Sequence, residues 1–311
     1  MGSKHKFRFG VQTSRGGSAG EWAAKARKIE ELGYSTLFIP DHFDDQLAPM
    51  PAMMAAADAT TTLRIGGLVL DNDYKHPVVL AKELATIDVL SGGRLEVGIG
   101  AGWMESDYRG AGMAYDAPGV RISRLQEAVR VIKGLMSDEP VAFDGTYYNV
   151  HMNGTPKPVQ KPHPPLLIGG GGKRVLRYAA RVADIIGVNF TLTEGVVNAA
   201  VMATGGIEAT KEKIAWIREA AGARFEEIEL NVTVFGAFVT DDRASLAERL
   251  APRFGVTAAE VGVAPHLLIG SVEQMVEDLQ RRRELFGFSY IAISGEAFEA
   301  LAPVVRKLAG T

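Results

Sequence analysis

Pro164–Val188 reads PPLLIGGGGKRVLRYAARVADIIGV and holds one complete structural unit. Pro165–Ile168 is a short apolar run bounded by prolines and glycines, which predicts a buried strand. Arg174–Val182 predicts a helix and Asp184–Val188 a second buried strand. Strand, glycine turn, helix, strand is the repeating unit of a parallel sheet covered by helices.

The same beat runs outward in both directions. Upstream, strands are predicted at Phe7–Gln12, Thr36–Pro40, Leu63–Leu70 and Arg94–Gly100, with helices at Glu21–Leu32, Pro51–Ala59, Pro77–Leu90 and Arg121–Met136 between and after them. Downstream, strands are predicted at Glu229–Phe238 and Phe288–Ser294, with helices at Thr210–Ala221, Arg243–Phe254, Val272–Phe286 and Ala297–Ala309. Eight strands alternating with helices predict a (β/α)₈ TIM barrel with insertions. The rival is an open doubly wound sheet, which wants G-x-G-x-x-G after its first strand. Thr13-Ser14-Arg15-Gly16-Gly17-Ser18 does not supply it. The chain is read as one barrel domain over residues 1–311, interrupted by insertions at about 137–164, 190–207 and 256–271. Within the first, Val141–Val150 predicts a hairpin turning at Asp144-Gly145.

Composition excludes several function classes. The 311 residues carry a net charge of −3 and no basic stripe, so nucleic acid is not an expected partner. With no cysteine there is no disulfide, thiolate metal site or thiol nucleophile. The six histidines are scattered, without metal-ligand spacing. No apolar run is long enough for a membrane span, and the polar, basic Met1–Lys6 does not lead into a signal core. These readings predict a cytoplasmic protein that acts on a small molecule.

In a barrel the chemistry sits where strands run into βα loops. After the second strand stand Asp41 and His42. Alone they are a turn cap and a loop histidine; at this rim, His42 is a candidate for proton transfer. The third strand contains Gly66-Gly67, which predicts a bulge or a close approach of a ligand, and ends at Asp71. The fourth runs into Gly100-Ala101-Gly102-Trp103, where small residues admit a flat ring and Trp103 walls it. The fifth runs into Gly169, Gly170, Gly171 and Gly172, then Lys173 and Arg174 at a helix start. Backbone N–H groups, the helix dipole and two cations there imply a phosphate. The Walker spacing is absent.

Taken together, IPDHF (Ile39–Phe43), His76–Trp103 and Pro156–Val188 resemble the luciferase-like superfamily, and in particular its F420-dependent oxidoreductases, over almost the whole chain. The resemblance implies a homodimeric barrel holding coenzyme F420, with the ring over strands two to four and the phosphate at the loop after strand five. It implies a non-proline cis peptide near Gly67-Leu68, and a proton-transfer role for His42. On the resemblance Asp41, His42, Gly67, Leu68, Asp71, Gly100–Trp103, Gly169–Arg174 and Val188 are the cofactor-site candidates. Gln46 and Trp103 depart from the sugar-phosphate dehydrogenase branch, which has Trp and Glu at the matching places. Two alternatives stay open: an FMN-dependent two-component monooxygenase, and a non-catalytic flavin-binding barrel. Phe190–Gly206 and Ala264–Ser271 are candidate lids.

Overall fold

Eight short strands, nearly all buried, form the wall of a closed barrel in the computed structural model, which describes residues 5–154, 156–192 and 195–311. They are β1 (Arg8–Gln12), β2 (Thr36–Ile39), β3 (Arg64–Gly67), β4 (Leu95–Gly100), β5 (Leu166–Gly170), β6 (Ile185–Val188), β7 (Glu229–Val234) and β8 (Phe288–Ser294). All pair in parallel in the order β3-β2-β1-β8-β7-β6-β5-β4. Ile65 beside Leu95 and Gly66 beside Glu96 close the ring. Helices cover the outside, where Trp22, Ile29, Leu84, Leu125, Ile132 and Leu176 are buried against the strands. Of the sequence readings, Met1–Lys6 and the insertions at about 137–164 and 190–207 each include residues outside those described: 1–4, 155, and 193 and 194.

Several element boundaries differ from the sequence reading, each for a local reason. The third strand stops at Gly67; the ladder resumes at Leu70–Asp71 beside Ile99 and Gly100. Between them lies a cis peptide at Leu68-Val69, one bond beyond the position the resemblance implied. Glu229–Phe238 is two strands, because after Val234 the chain leaves the barrel and Gly236–Val239 pairs with Leu267–Gly270. This two-stranded sheet has a small core of its own, from Ala247, Val261, Leu267 and Ile269. The excursion therefore starts before residue 256, and the segment read as a lid at Ala264–Ser271 contains one of its strands. The hairpin pairs Val141–Asp144 with Asn149–Met152 around a four-residue loop, not a two-residue turn at Asp144-Gly145. Glu127 decides this: its carboxylate accepts the N–H groups of Thr146, Tyr147 and Tyr148. A short helix at Glu105–Gly110 was not evident from periodicity. No described helix is long and apolar enough to cross a membrane.

Candidate active site

The barrel is hollow at its carboxyl end, where a cavity of about 560 Å³ opens. Alternation along the strands decides which side chains reach it. Gln12 from β1, Pro40 after β2, Leu68 after β3, Gly100 from β4, Gly169 from β5 and Asn231 from β7 all line it. The Gln12 amide donates to the Leu68 carbonyl, tying β1 to the kink beyond β3. Val69 then lies across the ends of β4 and β5. A Cβ at Gly100 would fall 2.6 Å from a Val69 methyl, and one at Gly169 2.9 Å from the other. Both positions must be glycine for this floor to lie flat.

His42 sits on the rim with its side chain about one quarter exposed. Its Nδ1 lies 2.7 Å from Asp107 Oδ2, which also accepts the Tyr74 hydroxyl at 3.3 Å. Trp103 meets the imidazole edge-on at 5.8 Å, and the Tyr115 hydroxyl holds the Trp103 carbonyl at 2.8 Å. A carboxylate on Nδ1 favours the tautomer with Nδ1 protonated, leaving Nε2 for a ligand. Asp107 is one candidate site residue that sequence reasoning missed. It lies 65 residues from His42, on a one-turn helix without a periodic signature.

Asp41 and Asp71 lie next to each other on the cavity wall. The Asp71 N–H donates to Asp41 Oδ2 at 3.1 Å. The Tyr108 hydroxyl reaches both Asp71 oxygens at 3.0 and 3.1 Å, and the Asp73 N–H donates to Oδ1 at 2.9 Å. Burial pushes both carboxyls up, Asp71 to about 7, with the Asp73 charge adding to the effect. Gly102 makes this arrangement possible: its φ is +72°, and a Cβ there would fall 1.9 Å from the Tyr108 oxygen.

Across the cavity, Gly169–Gly172 carry β5 into a helix at Lys173–Val182. Gly172 is the N-cap and makes no side-chain cap bond, so the first-turn N–H groups are left for a ligand. A Cβ at Gly172 would meet nothing within 4 Å, whereas one at Gly171 would fall 2.0 Å from the Phe190 carbonyl oxygen. The turn is therefore open towards the cavity and closed behind. Lys173 and Arg174 do not line it. Lys173 lies over the Trp216 ring at 5.6 Å, and Arg174 bonds the Gly119 carbonyl and Ser123 on the neighbouring helix, Pro118–Met136. Sequence adjacency to the turn therefore does not bring either side chain to the cavity wall. The cation that does line the cavity is Arg121, 2% exposed, stacked at 4.2 Å on Tyr115 and bonded to the Ala101 and Asp116 carbonyls. No described carboxylate pairs with it. Gly67 also stays out of the cavity, packed under Leu70 and the Gly98 carbonyl. Asp41, His42, Leu68, Asp71, Gly100–Trp103, Gly169–Gly172 and Val188 are brought together around it.

Comparison with known proteins places this geometry. Residues 1–287 match the family described as luciferase-like monooxygenase. An FMNH₂-dependent dimethylsulfone monooxygenase of Pseudomonas putida is 30% identical over 67% of this chain and 54% of its own length. An F420-dependent glucose-6-phosphate dehydrogenase of Kineococcus radiotolerans is 34% identical over 53% of this chain and 51% of its own. The chain thus spans about half the length of the curated relatives it matches. The fold is shared with a coenzyme F420-dependent tetrahydromethanopterin reductase of Methanopyrus kandleri, at a TM-score of 0.77 and 17% identity over 98% of this chain and 99% of that one.

Proposed function

Because the chain belongs to the luciferase-like monooxygenase family, we propose that it is an F420-dependent oxidoreductase acting on a small organic substrate at the carboxyl end of its barrel. One observation carries the reading: an imidazole backed by a carboxylate stands on the rim of a cavity whose other rim is an uncapped helix start. The residues fit a flat ring with an anionic tail. Leu68, Val69 and Ala101 make an apolar floor that the glycines keep level. The Gly171 and Gly172 N–H groups and the unpaired Arg121 guanidinium suit the tail. Asn231 Oδ1 is a buried acceptor with no described partner, and its Nδ2 is committed to the Tyr290 carbonyl at 3.1 Å. It therefore calls for a donor on whatever fills the cavity.

When bound, a deazaflavin gives or takes a hydride. The protein's part is orientation, exclusion of water and movement of one proton. His42 holds that proton at Nε2 and Asp107 fixes the ring that carries it. The FMN alternative is kept because the dimethylsulfone monooxygenase aligns over the larger share of this chain. Titration of the purified protein with F420 and with FMN separates the two. Saturable quenching by F420 with no FMN affinity is expected; FMN binding alone overturns the deazaflavin reading.

A further inference from the structure

We propose that the substrate of this cavity is an uncharged, largely apolar carbonyl compound or the alcohol derived from it, and not a phosphorylated or carboxylated molecule. The inference rests on the deazaflavin reading, because the single cationic rim is then filled by the cofactor tail.

Charge arithmetic is the first support. Among the described residues lining the cavity, Arg121 is the one permanent cation, and it lies on the helix that Arg174 ties to the glycine turn. Lys213, the next candidate, is buried behind the wall with its ammonium given to the Asn189 and Thr204 carbonyls, both at 2.6 Å. Nothing is left to pair with a second anion. The groups around His42 add no further permanent cation: Asp41 and Asp71 line the cavity as carboxyls, and Asp107 backs the imidazole. A substrate phosphate or carboxylate near His42 would be desolvated with no permanent cation to pair with it.

The far wall supplies the second support. Phe190 packs at a tilt on His266 at 4.2 Å and stacks on Phe235 at 5.7 Å, and Leu192 and Met202 continue the surface. Burial holds the His266 ring neutral, with its pKa lowered to about 4. Phe235 is 40% exposed at the cavity, an aromatic face that a ligand of like character would cover. Much of the polar lining is already committed: Gln12 donates to the Leu68 carbonyl, Tyr74 to Asp107 and Thr191 to the Gly171 carbonyl, which leaves His42 on the rim and Asn231 Oδ1 deeper in to meet a ligand. One proton source with a hydride matches the carbonyl–alcohol couple. In reduction, the carbonyl carbon takes the hydride of the reduced deazaflavin and the π pair moves to oxygen. That oxygen takes the His42 proton, and the deazaflavin is left oxidised by two electrons. Alcohol oxidation is the same step reversed.

The test uses matched ligands on the F420-loaded protein. Acetophenone and cyclohexanone are compared with 4-acetylbenzoate and glucose 6-phosphate, by turnover with reduced F420 and by thermal shift. The uncharged pair is expected to bind or turn over, and the charged pair to be weaker by about 30-fold or more, as a desolvated charge without a cationic partner requires. Phe235→Arg, which places a cation on the apolar wall, is expected to bring 4-acetylbenzoate level with acetophenone. Equal or better use of either anion by the wild type overturns the proposal, as does failure of both neutral ketones to bind. F420 titration of the same preparation is read separately. If F420 does not bind, the deazaflavin reading fails on its own, and the matched pairs are then read by thermal shift on FMN-loaded protein.

Discussion

Replacing Asp71 with asparagine should remove a defined part of the protein's pH-dependent stability. The Asp71 carboxyl is buried at the cavity floor and pushed up to about 7 by that burial, from 3.8. Between those two values the folded protein keeps a proton that the unfolded chain has shed. Its contribution is therefore full below pH 3.8, falls as pH rises, and is lost above about 7. From pH 5 to pH 8 the folded group passes through about two pH units of this range, worth roughly 3 kcal/mol at 1.36 kcal/mol per unit. Asparagine still accepts from the Asp73 N–H and the Tyr108 hydroxyl but does not titrate. Urea unfolding of wild type and Asp71→Asn at pH 5 and pH 8 gives the double difference. His266 pulls the other way: its folded pKa is lowered, so its contribution fades as pH drops from 6.5 towards about 4, but it is common to both proteins and cancels. The wild type should lose roughly 3 kcal/mol more than the variant between pH 5 and 8. Equal changes would refute the argument, and would mean that the Tyr108 and Asp73 donors keep the carboxylate ionised despite burial.

Four other outcomes are expected. His42→Ala should lower kcat about a hundredfold or more while F420 affinity changes little, because proton transfer and not cofactor holding is removed; a parallel loss of affinity argues against that role. Asp107→Asn should lower kcat about 10- to 100-fold, the value of a hydrogen bond to a charged group, and should shift the pH–rate profile of the step that uses His42. Gly171→Ala should cost about 1–3 kcal/mol in urea unfolding, since its Cβ strikes the Phe190 carbonyl. Gly172→Ala meets open space, so it should leave stability alone and weaken cofactor binding; equal stability losses at both positions would contradict the geometry.

The barrel was legible because it depends on local regularities. Continuous apolar strands and amphipathic helices repeat along the chain, and LLIGGGG entering KRVLRY marks both a strand end and a helix start. The glycine turn, His42 and Trp103 were found because they follow strands directly. What escaped depends on tertiary packing. Asp107 and Arg121 reach the site from helices after the fourth strand, and nothing in their spacing points to His42 or to the glycine turn. Lys173 and Arg174 show the reverse: they follow the glycine turn in sequence, but their side chains engage Trp216, Gly119 and Ser123 and not the cavity wall. Leu267–Gly270 resembles a loop because its strand partner, Gly236–Val239, continues directly from a barrel strand and hides the break.

The inward-facing residues explain why the cavity opens at the carboxyl end of the barrel. At the amino end Arg8, Arg64, Glu96 and Glu229 form a compact ionic plug: Arg8 holds Glu229 at 2.6 Å, Arg64 holds Glu96 at 2.8 Å, and the Tyr290 hydroxyl donates to Glu96 at 3.0 Å. Burial alone would raise the Glu96 pKa, yet the two guanidinium groups hold it below its usual value, so the charges are mutually satisfied. One layer up, Phe38 and Tyr290 lie 5.5 Å apart, and the Phe38 ring fills the space left by Gly10 and Gly66, where a Cβ would come within 2.9 and 3.3 Å of it. In the next layer Gly100, Gly169 and Gly187 add no side chain, and the Val69 methyls that lie over the first two form the floor of the cavity. Bulk below and glycine above leave the hollow at the carboxyl end, where His42 and the helix start face each other. The glycines that look like weak points in the strands are therefore what makes room for a ligand, and filling that layer with alanine at Gly187, whose Cβ would have only ordinary contacts of 3.4–3.5 Å, should shrink the cavity without unfolding the barrel. F420 titration and urea unfolding of Gly187→Ala check this: weaker binding at unchanged stability is expected, and unchanged binding would show that the ligand does not reach this layer.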